Sequence, residues 1–306
     1  MNCQIRFPPG WINASALEQT LRNGPRPHAA DVYEALFVFP TGCKIMVDTA
    51  VRLLSLFNQL DCRTCRVRLD FVEGEAGAMG YLDRMGFFDH LSGNVEVLPA
   101  RPFVSGAEIY GGTNAKLVEI TRINRTSKDE GLPSRLAEAV IRSCGEDRAD
   151  AKELKGATWT IFAELIDNIF SHSNTPLDGY AALQLYPNGN SLQVAVSDSG
   201  LGIMSTLRPT LKHEFPALDR LSDTELLVEI FRQGLSRHGA DRGCGLKGSA
   251  AKAMKYKADL DVRLPNIRVL LTPRREGYKP NTAYCYENLP LIWGTHICFT
   301  FRLDTR

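Results

Sequence analysis

The sequence predicts an α+β protein with two domains, a small α/β domain at residues 1–110 and a larger domain at residues 118–306. The chain has 306 residues, more than the roughly 100–200 residues of one typical domain. The first part alternates strand patterns with amphipathic helix patterns. The stretch 99–116 between the two parts is rich in Pro and Gly, which is typical of a linker.

Composition and charge narrow the class of protein. Hydrophobic residues make up 44% and charged residues 23%, which is ordinary for a globular chain. The net charge is +1, so electrostatics gives no case for general nucleic-acid or membrane-surface binding. No apolar run reaches the roughly 18 residues of a spanning helix, and the N-terminus has no signal-peptide layout. We therefore expect a cytoplasmic protein.

The elements of the first domain follow from apolar periodicity. Strand patterns cover residues 34–39, 66–72 and 94–98, and helical spacing covers residues 44–60 and 78–91. This order, strand–helix–strand–helix–strand, predicts a small α/β fold.

The second domain contains a strong hairpin signal, because apolar runs at residues 180–186 and 191–198 flank the turn sequence PNGN. A long polar segment follows residue 199 and ends in RHGADRGCGLKG. The remaining predicted elements are a strand, three helices and a closing strand: residues 117–123, 132–144, 157–173, 250–260 and 294–303.

The first chemical motif is Glu164-Leu-Ile-Asp-Asn168 in the helix predicted at residues 157–173. A spacing of four places both polar residues on one helix face, one turn apart. An Asn oxygen is a suitable ligand for magnesium, and the carboxylate could polarise a water molecule. The same spacing also fits an ordinary amphipathic helix whose polar residues face solvent.

The second motif, Asp198-Ser-Gly200-Leu-Gly202, directly follows a predicted strand. Glycines there allow a tight turn and a close approach to a ligand. The carboxylate can accept a hydrogen bond from an exocyclic amine such as that of adenine. A simple strand-ending turn uses the same residue types.

The third motif is GCGLKG at residues 243–248, which leads into a helix predicted to begin near Ser249. Glycine-rich backbone that opens a helix offers free N–H groups and the positive dipole end to phosphates. The pattern is neither a Walker A loop nor a Rossmann fingerprint. Lys247 could add charge to a phosphate site or could be a solvated surface lysine.

Together the motifs resemble the GHKL (histidine-kinase-like, HATPase_c) ATPase superfamily, which includes gyrase-type topoisomerases, heat-shock chaperones, histidine kinases and mismatch-repair proteins. The resemblance covers roughly residues 118–306. The matching positions are Glu164 and Asn168 for the N box; Asp198, Gly200 and Gly202 for the G1 box; Gly243, Gly245, Leu246 and Gly248 for the G2 box; and Gly294 and Thr295 for a later Gly-Thr pair.

The resemblance implies ATP and Mg²⁺ as ligands, and it implies a role for each position. Asn168 would coordinate the magnesium ion, and residues 243–248 would hold the phosphates. Asp198 would bind the adenine amino group, with Thr295 assisting through a water molecule. Glu164 would be the general base if water accepts the phosphoryl group.

The resemblance also implies a Bergerat-type α/β sandwich, with a mixed sheet and helices on one face. Gly200 and Gly202 would shape the base pocket. The span 203–242 would be the ATP lid. Three lid residues could reach the phosphates on closure: Arg237, His238 and Arg242.

Several functions fit this resemblance. The first is a signalling or regulatory protein with slow ATP hydrolysis and a nucleotide-gated lid, acting on a protein partner or as a homodimer. The second is a protein serine kinase of the anti-sigma-factor type, since the run from Asn168 to His172 and Ser173 resembles the N box of those kinases. The third is a nucleotide-binding module without turnover, and the glycines could also be turns of a protein that binds no nucleotide.

The first domain loosely resembles STAS domains over residues 30–100. The resemblance rests on the strand at residues 66–72, a glycine-bearing turn, and the helical sequence at residues 81–88. STAS regulators carry a phosphorylatable serine in the turn, whereas residues 75–78 read Glu-Ala-Gly-Ala here. The sequence therefore favours a docking role over a phosphoswitch, or a family-specific domain that only packs against the other half.

Overall fold

The computed structural model describes residues 1–114, 116–124, 129–144, 149–172, 175–234 and 244–302. The strands are β1 (Asn2–Arg6), β2 (Gly10–Ile12), β3 (Glu34–Phe39), β4 (Cys43–Ile45), β5 (Arg66–Phe71), β6 (Glu96–Leu98), β7 (Leu117–Ile123), β8 (Gly179–Tyr186), β9 (Ser191–Ser197), β10 (Asp259–Leu264), β11 (Ile267–Arg274), β12 (Gly277–Pro280) and β13 (His296–Arg302). The helices are α1 (Ala14–Asn23), α2 (Val47–Cys62), α3 (Ala78–Arg84), α4 (Phe87–His90), α5 (Gly106–Tyr110), α6 (Leu132–Cys144), α7 (Ala151–His172), α8 (Ile203–Glu214), α9 (Pro216–Asp219), α10 (Asp223–Glu229) and α11 (Cys244–Lys255).

The first half is an α/β arrangement, as predicted. Its strands form a four-stranded parallel sheet in the order β1-β3-β5-β6, and β2 pairs with β4 beside it. Strand β3 reads EALFVF and is largely buried, as expected for a parallel strand covered on both faces. The edge strand β1 and helix α1 are additions to the predicted elements.

The second half is built on a seven-stranded sheet in the order β12-β11-β10-β13-β9-β8-β7. Each described strand pair in it is antiparallel, so the expectation of a mixed sheet is wrong. Several neighbours are consecutive strands joined by short turns, and a short turn reverses the chain direction. Parallel neighbours would need crossover connections of a dozen or more residues.

Strands β8 and β9 are buried on both faces. Val194 and Val196 lie in the core formed with α6 and α7. Between them, Ala195 lies in the core of the first half, together with Tyr180 and Ala182 of β8. Alternate residues of a strand point to opposite faces, so the two cores lie on either side of one sheet. The helices of the second half contribute to the core on one face of the sheet, as expected, and α2 of the first half covers the other face.

Helix α2 lies between the two sheets. All residues from Val47 to Leu60 are buried, and the helix contacts β5 on one side and β8 and β9 on the other. A helix buried all round serves as a core element rather than as a surface helix. The two halves therefore share a continuous interface around α2.

Buried charges add to this interface. Arg52 of α2 donates to Asp261 of β10 at 2.8 Å, and Arg268 of β11 donates to the same carboxylate at 2.9 Å. Burial raises the pKa of Asp261, but the two guanidinium charges outweigh it and hold the pKa at about 2. In α1, Glu18 accepts from Arg263 at 2.8 Å. Because buried charges require partners, these pairs fix how the halves meet.

The segment predicted as an ATP lid is folded over most of its length. Residues 203–234 form α8, α9, α10 and a π-helical turn. Met204, Leu207 and Leu226 are buried in the core of the second half. This part of the predicted lid is therefore packed onto the core, while Arg237, His238 and Arg242 lie outside the described residues.

Over the part of the chain that the structure describes, helices are too short or too polar to cross a membrane.

Candidate functional site

Asp198 is held at the end of β9 by backbone groups of two loops. The Gly200 N–H donates to its Oδ1 at 2.7 Å, and the Thr295 N–H donates to its Oδ2 at 3.1 Å. The Asp198 N–H in turn donates to the Thr295 carbonyl at 3.0 Å. The 198–202 loop and the 293–295 loop are thereby locked together around one carboxylate.

Two glycines allow these loops to touch. Gly294 has φ of +94°, and a Cβ there would lie 2.1 Å from the Asp198 carbonyl oxygen. Gly202 has φ of +78°, and a Cβ there would lie 2.9 Å from Pro265 Cδ. Both positions therefore require glycine for backbone conformation and for close approach. These contacts are the physical reason for glycine at position 202 of the Gly-x-Gly pattern and at position 294 of the Gly-Thr pattern.

The Asp198 residue is 9% exposed. Burial raises the pKa of Asp198 to about 6, although the hydrogen bonds from Gly200 and Thr295 lower it. The Thr295 hydroxyl accepts from the Ile203 N–H at 3.2 Å, at the start of α8. The site thus has a buried, weakly acidic carboxyl in a frame of backbone hydrogen bonds.

Gln59 of α2 connects the same two loops from the first half of the chain. Its Nε2 donates to the Ser199 Oγ at 2.9 Å and to the Trp293 carbonyl at 3.0 Å. Its Oε1 accepts from the Trp293 N–H at 2.9 Å. The side chain is fully buried, and its amide is bonded at both ends.

A second hydrogen-bonded chain runs beside the first. Ser55, one turn before Gln59 on α2, lies 2.8 Å from Ser197 between the two Oγ atoms, and Ser197 contacts His296 Nδ1. The His296 Nε2 donates to the Trp293 carbonyl at 3.1 Å. Burial, followed by the nearby arginine charges, lowers the pKa of His296 well below its usual value, so the imidazole is neutral. With Nε2 protonated, Nδ1 accepts from Ser197, and Ser197 accepts from Ser55.

Helix α7 carries the first motif to the same edge of the sheet. A Cβ at Gly179 would lie 2.9 Å from Ile169 Cγ2 and 3.0 Å from the Ser197 carbonyl oxygen. The C-terminal part of α7, which contains position 168, therefore lies over the end of β9, one residue before Asp198. Glu164 lies one turn earlier and is half-buried. Helix α7 also packs against α11.

Helix α11 begins at Cys244 and not near Ser249, so the glycine-rich motif forms its first turns. The first-turn N–H groups of a helix have no intrahelical partner. Glycines weaken a helix least near its ends, while the residues AAKAMK that complete the helix are good helix formers. Gly248 has open space around its Cα, with no atom within 4 Å of an added Cβ.

The structure therefore brings together Asp198, Gly200, Gly202 and Thr295, and it places α7 at the same edge. Glu164 lies on α7 and Gly248 on α11, and the remaining predicted site residues are located only by backbone or not at all. The side chains of Asn168, Leu246 and Lys247 lie outside what the structure describes, as does the whole of Gly243. Gly245 lies on the backbone of α11.

Within the described ranges, no group of three or more His, Cys, Asp or Glu side chains could hold a metal ion. The magnesium ligand expected from the sequence is an Asn oxygen, which such a group would not include. Magnesium in nucleotide sites is commonly bound by one or two protein ligands together with phosphate oxygens and water. A single Asn ligand is compatible with that chemistry.

Sequence reasoning missed Gln59, Ser55 and Trp293. One signal was available, because Ser55, Asn58 and Gln59 are polar residues that lie among the apolar residues of a predicted helix. A buried polar side chain is nearly always hydrogen-bonded, so each needed a partner. Local sequence could not say which loops supply those partners.

No model of a known protein family matches this sequence, and no curated protein is significantly similar to it.

Proposed function

We propose that the second half of this chain is a magnesium-dependent ATP-binding domain of GHKL type, in which Asp198 recognises the adenine amino group. The observation that carries the proposal is the pair of interlocked loops around this carboxylate. Each carboxylate oxygen accepts one backbone N–H, from Gly200 or from Thr295. An ionised carboxylate offers about four acceptor positions, so capacity for a further N–H donor remains.

The same arrangement favours adenine over guanine. The adenine ring carries an amino group at the position where guanine carries a carbonyl oxygen. An amino group donates to the Asp198 carboxylate, whereas a carbonyl would place two acceptors against each other. A site whose polar group is left unpaired discriminates strongly against the wrong ligand.

The phosphate end of the proposed site lies toward α7 and α11. The first turn of α11 would supply N–H groups that have no partner within the helix, together with the positive end of a helix dipole, and both suit phosphate. Helix α11 packs against α7, the helix that carries position 168. Asn168 would supply the oxygen for magnesium.

Glu164 would orient the attacking water for slow ATP hydrolysis. Hydrolysis would end the ATP-bound state, which a protein partner or a second copy of the chain would recognise. The half-buried position of Glu164 on α7, one turn from position 168, supports this role. Transfer of the phosphoryl group to a serine of a protein partner uses the same pocket. With labelled ATP, hydrolysis would release labelled free phosphate, whereas a kinase would transfer the label to the protein partner.

Titration of a fluorescent ATP analogue, with and without Mg²⁺, tests the proposal. We expect binding that magnesium strengthens and that ATP displaces better than GTP. Asp198→Ala should weaken binding and remove the preference for adenine. Asp259→Asn is a matched control, because Asp259 lies opposite Thr300 in the sheet, near the end of β13 that is away from the candidate site.

Asn168→Ala should abolish the effect of magnesium while leaving base preference intact. Failure of millimolar ATP to displace the analogue from the wild-type protein would overturn the proposed function.

A further inference from the structure

The base-binding end of the site is assembled from two loops far apart in the chain, and the first half of the protein holds both. The 198–202 loop follows β9, and the 293–295 loop precedes β13. Antiparallel pairing of β9 with β13 brings the loops to one edge, where His296 is opposite Ser197. The exchange between Asp198 and Thr295 continues this pairing by one step, and beyond it Ser199 and Trp293 need other contacts to fix their geometry.

Gln59 supplies those contacts. Its amide bonds both the N–H and the carbonyl of Trp293, as a residue of a neighbouring strand would. The second amide hydrogen reaches Ser199, which directly follows Asp198. One buried side chain therefore ties the residue after the carboxylate to the residue before the Gly-Thr pair.

Two further groups from the first half converge on the same tryptophan. The chain from Ser55 through Ser197 and His296 ends on the Trp293 carbonyl. The His28 ring lies against the Trp293 ring, with 5.1 Å between ring centroids. Trp293 is thus fixed on its carbonyl, its N–H and its ring.

We propose that Gln59 is a positioning residue of the nucleotide site, through which the first half sets the geometry of the base-binding loops and hence the preference for adenine. This inference rests on the proposed function. Gln59 acts through Ser199 and Trp293, and its own hydrogen-bonding capacity is used within the protein. The small first half is accordingly a structural part of the pocket.

Asp198 requires this support because the orientation of its carboxylate depends on both loops. Its oxygens are bonded to Gly200 on one loop and Thr295 on the other. A displacement of either loop rotates the carboxylate or frees one oxygen. A misplaced acceptor pairs poorly with the adenine amine, while phosphate contacts at α7 and α11 are unaffected.

Gln59→Met tests the inference, because it keeps the side-chain volume and removes all three hydrogen bonds. We expect ATP affinity to fall about tenfold, as for the loss of one buried hydrogen bond, with the ratio of ATP to GTP affinity falling similarly. Affinity for tripolyphosphate should stay within twofold, since it has no base. A purely structural defect would weaken all three ligands together.

Asn58→Leu is the matched control. Asn58 is the preceding residue on α2, and it bonds Tyr180 Oη and the His90 carbonyl, away from the two loops. The substitution should reduce stability without changing the ratio of ATP to GTP affinity. Ser199→Ala removes only one contact of Gln59 and leaves the fold intact, and it should lower the ratio by a smaller factor.

Hydrogen exchange without nucleotide separates this inference from the proposed function. In Gln59→Met and Ser199→Ala, the amides of Gly200, Thr295 and Ile203 should exchange faster, and in Asn58→Leu they should not. If these amides exchange faster in the variants but the wild-type protein binds no ATP, the proposed function is overturned. The role of Gln59 in positioning the two loops would then still hold. Unchanged exchange and an unchanged ATP-to-GTP ratio in both variants would overturn the inference.

Discussion

Asp198 and Thr295 are separated by 97 positions in the chain, and each donates a backbone N–H to the other, at 3.0 and 3.1 Å. The Asp198 N–H reaches the Thr295 carbonyl, and the Thr295 N–H reaches the Asp198 carboxylate. This exchange continues the pairing of β9 with β13 by one step and then converts it into a side-chain contact. The candidate site therefore lies at the edge of the sheet where the pairing of β9 with β13 ends.

The first prediction concerns pH. Because burial raises the pKa of Asp198 to about 6, the free protein takes up a proton there as the pH falls below 6. An adenine amine needs the ionised carboxylate, so ATP affinity should increase as the pH rises through 6. At pH 5 we expect about a tenfold loss relative to pH 7.5 from this group.

Asp198→Asn provides the comparison, because ATP phosphates also titrate in this range. The variant should bind ATP about 5- to 150-fold more weakly at pH 7.5, the equivalent of about 1–3 kcal/mol for a lost buried hydrogen bond. Its remaining pH dependence reports the ligand alone. Identical pH profiles, measured by calorimetry, would show that the Asp198 carboxylate does not contact the base.

The second prediction concerns turnover. Glu164→Gln should reduce phosphate release by about 10²- to 10⁴-fold, the usual contribution of a general base, while ATP affinity stays the same. Glu153→Gln is the control, since Glu153 is an exposed residue of the same helix that pairs with Lys255. Equal turnover in wild type and Glu164→Gln would remove Glu164 from the mechanism. Label on an added protein partner, and not in free phosphate, would indicate a kinase.

The third prediction concerns the contact of the two loops. Gly294→Ala places a Cβ 2.1 Å from the Asp198 carbonyl oxygen at a positive φ. Gly277→Ala also has a positive φ but has no atom within 4 Å. Both substitutions strain the backbone, and only the first adds a clash. Denaturant unfolding should show about 1–3 kcal/mol more destabilisation for Gly294→Ala. Equal losses would mean that the loops do not touch as described.

The fourth prediction concerns the charges between the halves. Arg52→Met leaves the buried Asp261 with Arg268 as its remaining charged hydrogen-bond partner, and we expect a loss of about 3–5 kcal/mol in unfolding free energy. Arg302→Met breaks an exposed pair with Asp259 and should cost about 0–1 kcal/mol. If the two variants unfold at the same denaturant concentration, the buried network does not stabilise the interface.

Much of the fold could be predicted because its elements have clear local patterns. The helix at residues 132–144 and the strand at residues 117–123 have the predicted bounds. The hairpin of β8 and β9 follows from apolar runs around PNGN, where Asn190 adopts φ of +47°. The single helix predicted at residues 78–91 is two helices, α3 and α4. They are separated at Gly86, where φ is +75°.

Helices at residues 203–234 were not predicted, because Pro209 lies inside the first of them and Pro216 begins the second, and proline usually marks a break in a helical pattern. Leu207, Leu211 and Leu227 are spread along this segment, and their burial depends on the sheet beneath them. Strand β1 was not predicted because only two of its five residues, Cys3 and Ile5, face the core. Such short patterns are decided by the surface that they pack against.

The sequence by itself determined the residue types of the site: a carboxylate after a strand, glycines where backbones must meet, and a Glu and an Asn one turn apart on a helix. These are local requirements of turn geometry and helical spacing. Only the tertiary structure decided that β9 and β13 bring Asp198 to Thr295, that β8 and β9 are buried on both faces, and that Gln59 of the first half bonds Ser199 and Trp293. Those relationships depend on which surfaces pack together, and packing couples residues that have no local relation in the chain.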